Sequence, residues 1–220
     1  MSADGSTKPN STVYVIDDHA TQLQMMRQLC GSVGLDVRTY ETPGDFLDQL
    51  PWDASGCVVA DLLMPKMSGL ELHEELSRRG FRLPIIVLTG HADAATCRQA
   101  FHRGVFDFVE KSANTGELMI VIQRALRYNE QQQAGDEARL ESVSRLERVS
   151  PREKEVMRLL ADGRPLKEIA VELSISVQTA SKHRGKLFDK LGVSNEVDLY
   201  KLLKQVEEDA NRSPDPKTMA

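Results

Sequence analysis

Between residues 13 and 127, short apolar runs alternate with amphipathic stretches. The runs are Val13–Ile16, Val37–Tyr40, Cys57–Ala60, Ile85–Leu88 and Phe106–Val109. The stretches between them carry helical spacing: Leu23, Met26, Cys30 and Val33 share one face, as do Leu118, Val121, Ile122, Ala125 and Leu126. Five strands alternating with helices predict an α/β domain, an open and mostly parallel sheet covered on both faces. From Arg127 to Ser150 the chain turns polar. Leu140, Val143 and Leu146 recur every third residue, enough for a weakly packed helix, and Gly135 marks a predicted break or flexible point.

A second module opens at Ser150-Pro151-Arg152-Glu153, with Ser at the N-cap, Pro at the first helical position and Glu three residues after the cap. Val156, Leu159 and Leu160 continue that helix. Further helices are predicted over about Leu166–Leu173, Val177–Leu191 and Glu196–Val206, with Ser174-Ile175-Ser176 a tight connection and Gly192 a stop. Four helices without strands make an all-α module. The predicted organisation is a disordered tail over 1–11, a first domain over 12–127, a partly helical linker over 128–149, a helical domain over 150–207 and a disordered tail over 208–220.

Composition narrows the class. The 220 residues fit two domains of about 100–120 each. With 40% hydrophobic and 28% charged residues the chain is too apolar for disorder. No apolar run approaches the roughly 18 residues of a membrane span. The polar N-terminus lacks a signal-peptide core, so a cytoplasmic protein without membrane partners is expected. Cys30, Cys57 and Cys97 have no CxxC or Cys/His spacing, so they are read as small buried side chains. The net charge of −5 is uneven: twelve Lys/Arg stand against seventeen Asp/Glu up to Gln133, and sixteen against sixteen beyond it. Inside the neutral half, Lys182, Arg184, Lys186 and Lys190 face only Asp189. Such a strip can bind phosphates on an acidic protein, because screening confines the field to about 8–10 Å.

The first domain carries the chemistry. Asp17 and Asp18 follow the first predicted strand, Asp61 the third, Thr89 the fourth and Lys111 the fifth, so all five crowd one sheet edge. Ligands of such sheets bind there, where strand order reverses. A lone Asp, Thr or Lys in such a place is usually a cap or a solvated charge; the conjunction is specific. Clustered carboxylates repel unless a cation sits among them, and hard oxygen donors suit Mg²⁺. A carboxylate can also attack phosphorus to give an acyl phosphate. Asp61, which leads the turn-forming segment Asp61-Leu62-Leu63-Met64-Pro65-Lys66-Met67-Ser68-Gly69, is the candidate nucleophile. Mg²⁺, the Lys111 ammonium and the Thr89 hydroxyl would then neutralise the phosphoryl oxygens.

Val15-Ile16-Asp17-Asp18, Asp61-x-x-Met64-Pro65-x-x-x-Gly69, Leu88-Thr89-Gly90 and Phe108-Val109-Glu110-Lys111 resemble the receiver domain of two-component response regulators. The second module resembles their LuxR-type helix-turn-helix through Ser150-Pro151-Arg152-Glu153, Lys167-Glu168-Ile169-Ala170, Ile175-Ser176, Thr179, His183-Arg184 and Lys190-Leu191-Gly192-Val193. Together they are similar to the NarL/FixJ class over about residues 12–205. The resemblance implies a flavodoxin-like (CheY-like) sheet in the order 2-1-3-4-5 and a sensor histidine kinase as phosphoryl donor to Asp61. It also implies Mg²⁺ held by Asp17, Asp18, Asp61 and the Leu63 backbone carbonyl. Thr89 would be the switch hydroxyl, Lys111 the phosphate ligand and Phe108 the aromatic switch. Ser112 stands where the family usually has a proline, often cis, so a trans bond is expected here. Leu63 and His91 occupy the positions two beyond Asp61 and Thr89. Leucine cannot orient a hydrolytic water and can shield the acyl phosphate, so slow self-dephosphorylation is expected.

In a helix-turn-helix the second helix enters the major groove. Ile169, Ala170, Leu173, Ala180 and Leu187 are predicted to form the shared core, with Ser181, Lys182, Gly185 and Lys186 outward. Ser181 and Lys182 are expected at base edges, and Thr179, Arg184, Lys186 and Lys190 at DNA phosphates. One module buries little DNA, so phosphorylation is expected to raise affinity, through a homodimer on two half-sites or by freeing the basic helix. The alternative is a regulator working through protein contacts or independently of phosphorylation, with a helix-turn-helix that no longer binds DNA; a steep salt dependence of DNA binding separates the two. A phosphatase of the haloacid-dehalogenase kind wants Asp-x-Asp after the first strand, where this chain has Asp17-Asp18-His19. Activity beyond accepting, and slowly losing, a phosphoryl group is not expected.

Overall fold

The computed structural model describes residues 11–90, 104–112 and 114–212, with side chains to Glu208. The chain divides into two compact units, Met1–Gln133 and Ala134–Ala220. In the first, strands β1 (Thr12–Ile16), β2 (Asp36–Tyr40), β3 (Gly56–Asp61), β4 (Ile85–Thr89) and β5 (Asp107–Glu110) form one sheet in the order β2-β1-β3-β4-β5. Every pairing is parallel. All five predicted strands are present, most of them a residue or so longer than the apolar runs.

Alternation along the strands divides the core between the two faces of the sheet. Val13, Val15, Cys57, Val59, Ile86 and Leu88 point to one face, covered by α1 (Ala20–Ser32) through Leu23, Met26 and Cys30 and by α4 (Thr115–Glu147) through Leu118, Ile122 and Ala125. Tyr14, Ile16, Val58, Ala60, Ile85 and Val87 point to the other, covered by α2 (Pro43–Gln49) and α3 (Gly69–Arg78) through Phe46, Leu72 and Leu76. Val33 is an exception to the predicted apolar face: it is the C-cap of α1 and is exposed, because the helix has ended before its side chain could turn inward. Cys30 and Cys57 are buried as expected, and Cys97 lies outside the described residues. Burial pushes the Cys30 thiol up to about 11 and raises that of Cys57 further, which leaves both thiols unreactive.

Two glycines are needed by close approach. Gly56 opens β3 at φ 132°, and a Cβ there would sit 1.8 Å from the Thr12 carbonyl oxygen. Its N–H donates to the Oδ1 of buried Asn129 at 2.8 Å, which ties α4 to the sheet. Gly69 begins α3, where a Cβ would lie 2.6 Å from the Asp61 carbonyl oxygen.

The predicted break at Gly135 is absent: α4 runs unbroken from Thr115 to Glu147, through most of the stretch predicted as a partly helical linker. One interior glycine costs only about 1 kcal/mol, and the Gln, Ala, Glu, Arg and Leu residues around it favour helix. Gln133 is held by the Ser55 hydroxyl at 3.0 Å, and Arg145 pairs with Glu141 at 2.6 Å.

The second unit has no strand among its described residues. Its helices are α5 (Pro151–Ala161), α6 (Leu166–Glu172), α7 (Val177–Leu191) and α8 (Glu196–Arg212), making eight helices among the described residues. Both predicted ends hold. Ser150 forms the reciprocal capping box with Glu153, and Gly192 closes α7 in the left-handed conformation. Val156, Leu160, Ile169, Leu187, Leu191 and Leu199 form the core. Helix α8 continues to Arg212, past residue 208 where a tail is expected to begin. Ser11 donates to Glu130 at 3.2 Å; residues 1–10 and 213–220, expected as tails, lie outside the described residues. No helix among the described residues is long and apolar enough to cross a membrane.

Gly135 is exposed within α4 and a Cβ there meets open space. Gly135→Ala is expected to stabilise the protein by about 0.5–1 kcal/mol, read as a higher urea midpoint at an unchanged slope.

Candidate functional site: an acidic sheet edge and a basic helix

The carboxyl ends of the strands bring the predicted side chains together. Asp17 follows β1, its N–H donating to the Tyr40 carbonyl at 3.2 Å. Asp61 is the last residue of β3, Thr89 the last of β4, and Lys111 follows β5 with its N–H on the Thr89 carbonyl at 2.8 Å. Asp17, Asp61 and Thr89 are buried, whereas Asp18 is exposed. The Lys111 ammonium reaches Asp17 Oδ2 and Asp61 Oδ2, 2.9 Å from each. Burial opposes its charge, but the hydrogen bonds it donates to Asp17 and Asp61, with their negative charges, leave the Lys111 amine above its ordinary value.

One oxygen each from Asp17, Asp18 and Asp61, with a ring nitrogen of His19, all lie within 4.8 Å of one another. Three carboxylates against one ammonium leave excess negative charge. Like charges about 4 Å apart repel by about 4 kcal/mol at an effective dielectric constant of 20. A divalent cation fits this oxygen-rich donor set.

The segment after Asp61 is rigid for local reasons. The Leu62 N–H donates to the Leu88 carbonyl at 2.7 Å and the Gly69 N–H to the Leu62 carbonyl at 3.2 Å. Ser68 and Glu71 then cap α3 reciprocally. Met64 packs inward, while the Leu63 side chain is 77% exposed two residues from Asp61. Phe108 is half-buried and packs on the α2–α3 side of the core. The Lys111–Ser112 peptide is trans, as expected for a non-proline. His91 lies outside the described residues.

On α7, Ala180 and Leu187 are fully buried and Ser181, Lys182, Gly185 and Lys186 are exposed, matching the predicted faces. Thr179 is exposed in the first turn, its N–H capped by Ser176 at 3.1 Å. Two of the cations expected at DNA phosphates are engaged within the unit. Arg184 pairs with Glu196 at 2.8 Å and lies 4.7 Å from the centre of the Phe188 ring. Lys190 pairs with buried Glu153 at 2.6 Å. That carboxylate also accepts from the Ser150 N–H at 2.9 Å, so the Lys190 ammonium sits on the capping box. Sequence spacing could not show this, because Glu153 and Lys190 lie 37 residues apart.

The comparisons with known proteins agree with this geometry. Residues 13–123 match the model of the response regulator receiver domain and residues 147–203 that of the luxR family of bacterial regulatory proteins. The chain is a response regulator of the NarL/FixJ class. The regulator is 39% identical over 189 residues to the transcriptional regulatory protein TdiR of Thauera aromatica, covering 86% of this chain and 83% of that one. It is 33% identical over 190 residues to the transcriptional regulatory protein FixJ of Bradyrhizobium diazoefficiens, covering 86% and 93%. Among solved structures it resembles the response regulator StyR, with a TM-score of 0.82 at 30% identity over 89% of this chain and 99% of that one. The response regulator thus pairs a receiver with a LuxR-type DNA-binding domain, in a family of transcriptional regulators of two-component systems.

The hydrogen bond from Lys190, with those from Ser150, holds the Glu153 carboxyl down at about 2 in spite of its burial. A depressed carboxyl stabilises the fold fully above its unfolded value, and that contribution is lost as pH falls from about 4.5 toward 2. The expected outcome is a falling urea midpoint of the second unit between pH 5 and 2.5, with a shallower fall in Glu153→Gln. Equal slopes in the two proteins would remove Glu153 as the cause.

Proposed function

We propose that Asp61 accepts a phosphoryl group from a sensor histidine kinase and that this controls DNA binding and transcription. The observation that carries the reading is the shared Lys111 ammonium, 2.9 Å from both Asp61 and Asp17 at the mouth of the sheet. An Asp61 carboxylate oxygen forms the new P–O bond as the P–N bond of the donor phosphohistidine breaks. The leaving imidazole keeps the electron pair and takes up a proton. Lys111 then turns from the carboxylate to the phosphoryl oxygens, and the Thr89 hydroxyl binds another. Asp17, Asp18, Asp61 and the Leu63 backbone carbonyl would hold Mg²⁺, which supplies positive charge against the carboxylates and the phosphoryl oxygens.

Burial of Thr89 and the half-burial of Phe108 support a coupled switch, in which the hydroxyl moves toward the phosphoryl group and the ring follows. The exposed Ser181, Lys182, Gly185 and Lys186 face supports entry of α7 into the major groove, with Lys182 at base edges and Lys186 at phosphates. Thr179 joins Lys186 at the backbone. Arg184 and Lys190 reach phosphates only by leaving Glu196 and Glu153, so their share is smaller. Phosphorylation would raise affinity by favouring a homodimer on two half-sites, in the cytoplasm where operator DNA lies.

Intact mass after incubation with acetyl phosphate and Mg²⁺ is expected to show one phosphoryl adduct in the wild type and none in Asp61→Asn. The phosphorylated protein should then bind operator DNA more tightly than the unphosphorylated one. An adduct that persists in Asp61→Asn would overturn the assignment.

The exposed Leu63 side chain offers no polar group to attacking water. Leu63→Asn is therefore expected to shorten the phosphoryl half-life, because its amide can hydrogen-bond and orient the attacking water, measured by loss of the adduct with time.

A further inference from the structure

His19 follows the acidic pair directly and takes the N-cap position of α1. Side chains at that position usually accept from an N–H in the first turn, and His19 makes no such bond. Its ring turns back toward the acids. Nδ1 lies 2.9 Å from Asp18 Oδ1 and 3.1 Å from Asp17 Oδ1. The backbone N–H of His19 donates to the same Asp17 oxygen at 2.9 Å, so one short piece of chain fixes both the acid and the ring.

These are hydrogen-bonding separations, and they are also the spacing of neighbouring ligands on one ion. With metal–ligand bonds of about 2.1 Å, adjacent corners of an octahedron stand about 3.0 Å apart and opposite corners about 4.2 Å. His19 Nδ1 therefore stands at adjacent-corner spacing from both acid oxygens, and the four donor atoms, within 4.8 Å of one another, would close by up to about 0.6 Å to meet on one ion. The His19 side chain is 64% exposed where Asp17 is 2% exposed, so the ring stands on the solvent side, where a water would otherwise complete the shell.

We propose that His19 supplies a nitrogen ligand to the divalent cation of this receiver, shifting its preference toward ions that accept imidazole, such as Mn²⁺ and Co²⁺, and away from Mg²⁺. Mg²⁺ keeps oxygen donors and water and dehydrates reluctantly, whereas the first-row divalent ions gain from an added imidazole nitrogen, Mn²⁺ least and Co²⁺ more. The inference rests on the acidic edge being a cation site, as proposed above, and adds which cations it selects.

The test uses the full-length protein with Mn²⁺ as the probe. Binding is read from loss of the aqueous Mn²⁺ resonance, Mg²⁺ affinity from competition, and nitrogen ligation from electron spin echo modulation. Wild type should show nitrogen modulation that His19→Ala lacks. The variant should bind Mn²⁺ about tenfold more weakly, the low end of what losing a metal-site partner costs, with Mg²⁺ affinity unchanged within error. Mn²⁺ bound without nitrogen modulation, or equal weakening of both cations, would overturn the role of His19. Asp17→Asn should weaken both cations. If wild type binds neither, the cation site itself is wrong and His19 falls with it; if Asp17→Asn loses both while His19→Ala changes nothing, only the role of His19 falls.

Discussion

Two carboxylates from different strands, Asp17 and Asp61, are buried at one edge of the sheet and share a single ammonium, that of Lys111, 2.9 Å from each. Buried like charges are tolerated only when something opposes them. Here Lys111 opposes two, and the exposed Asp18 adds a third negative charge beside them. The edge is therefore left short of positive charge by construction. Such an edge favours a divalent cation electrostatically, and the fold holds the acids in place. The parallel ladder fixes where each strand ends, and the cores on both faces keep the strands in register.

The same economy of charge recurs in the second unit. Glu153 closes the capping box of α5 with one oxygen and receives Lys190 from the end of α7 with the same carboxylate. Arg184 is likewise turned to Glu196 and stacked on Phe188. Arg184 and Lys190 of the basic helix thus serve the packing of the unit. The cations on its exposed face, Lys182 and Lys186, stand at the surface. A helix that looks uniformly basic in sequence is divided by its neighbours into a structural part and a surface part.

Helix α4 carries a second lesson about local and tertiary forces. Its first half is covered by the sheet, with Asn129 and Gln133 bonded to Ser55 and Gly56 at the start of β3. Its second half exposes Leu140 and relies on helix-forming residues and an Arg145–Glu141 pair. One glycine does not outweigh that sum, so the chain stays helical where composition suggested a break.

The sequence by itself determined the strands, the order of the chemistry along them and the helix signals at Ser150 and Gly192. These are local or periodic properties: apolar runs set strands, capping residues set helix ends, and a residue just past a strand must lie at that strand's end. The family motifs added roles to Asp17, Asp18, Asp61, Thr89 and Lys111, and strand order then brought them to one edge. Only the tertiary structure decided which partners those groups take. The turn of His19 into the acids, the Lys190–Glu153 pair, the stacking of Arg184 on Phe188 and the approach of Gly56 to Thr12 all join residues through space. Such contacts depend on angles and distances between elements, which periodicity along one chain does not encode.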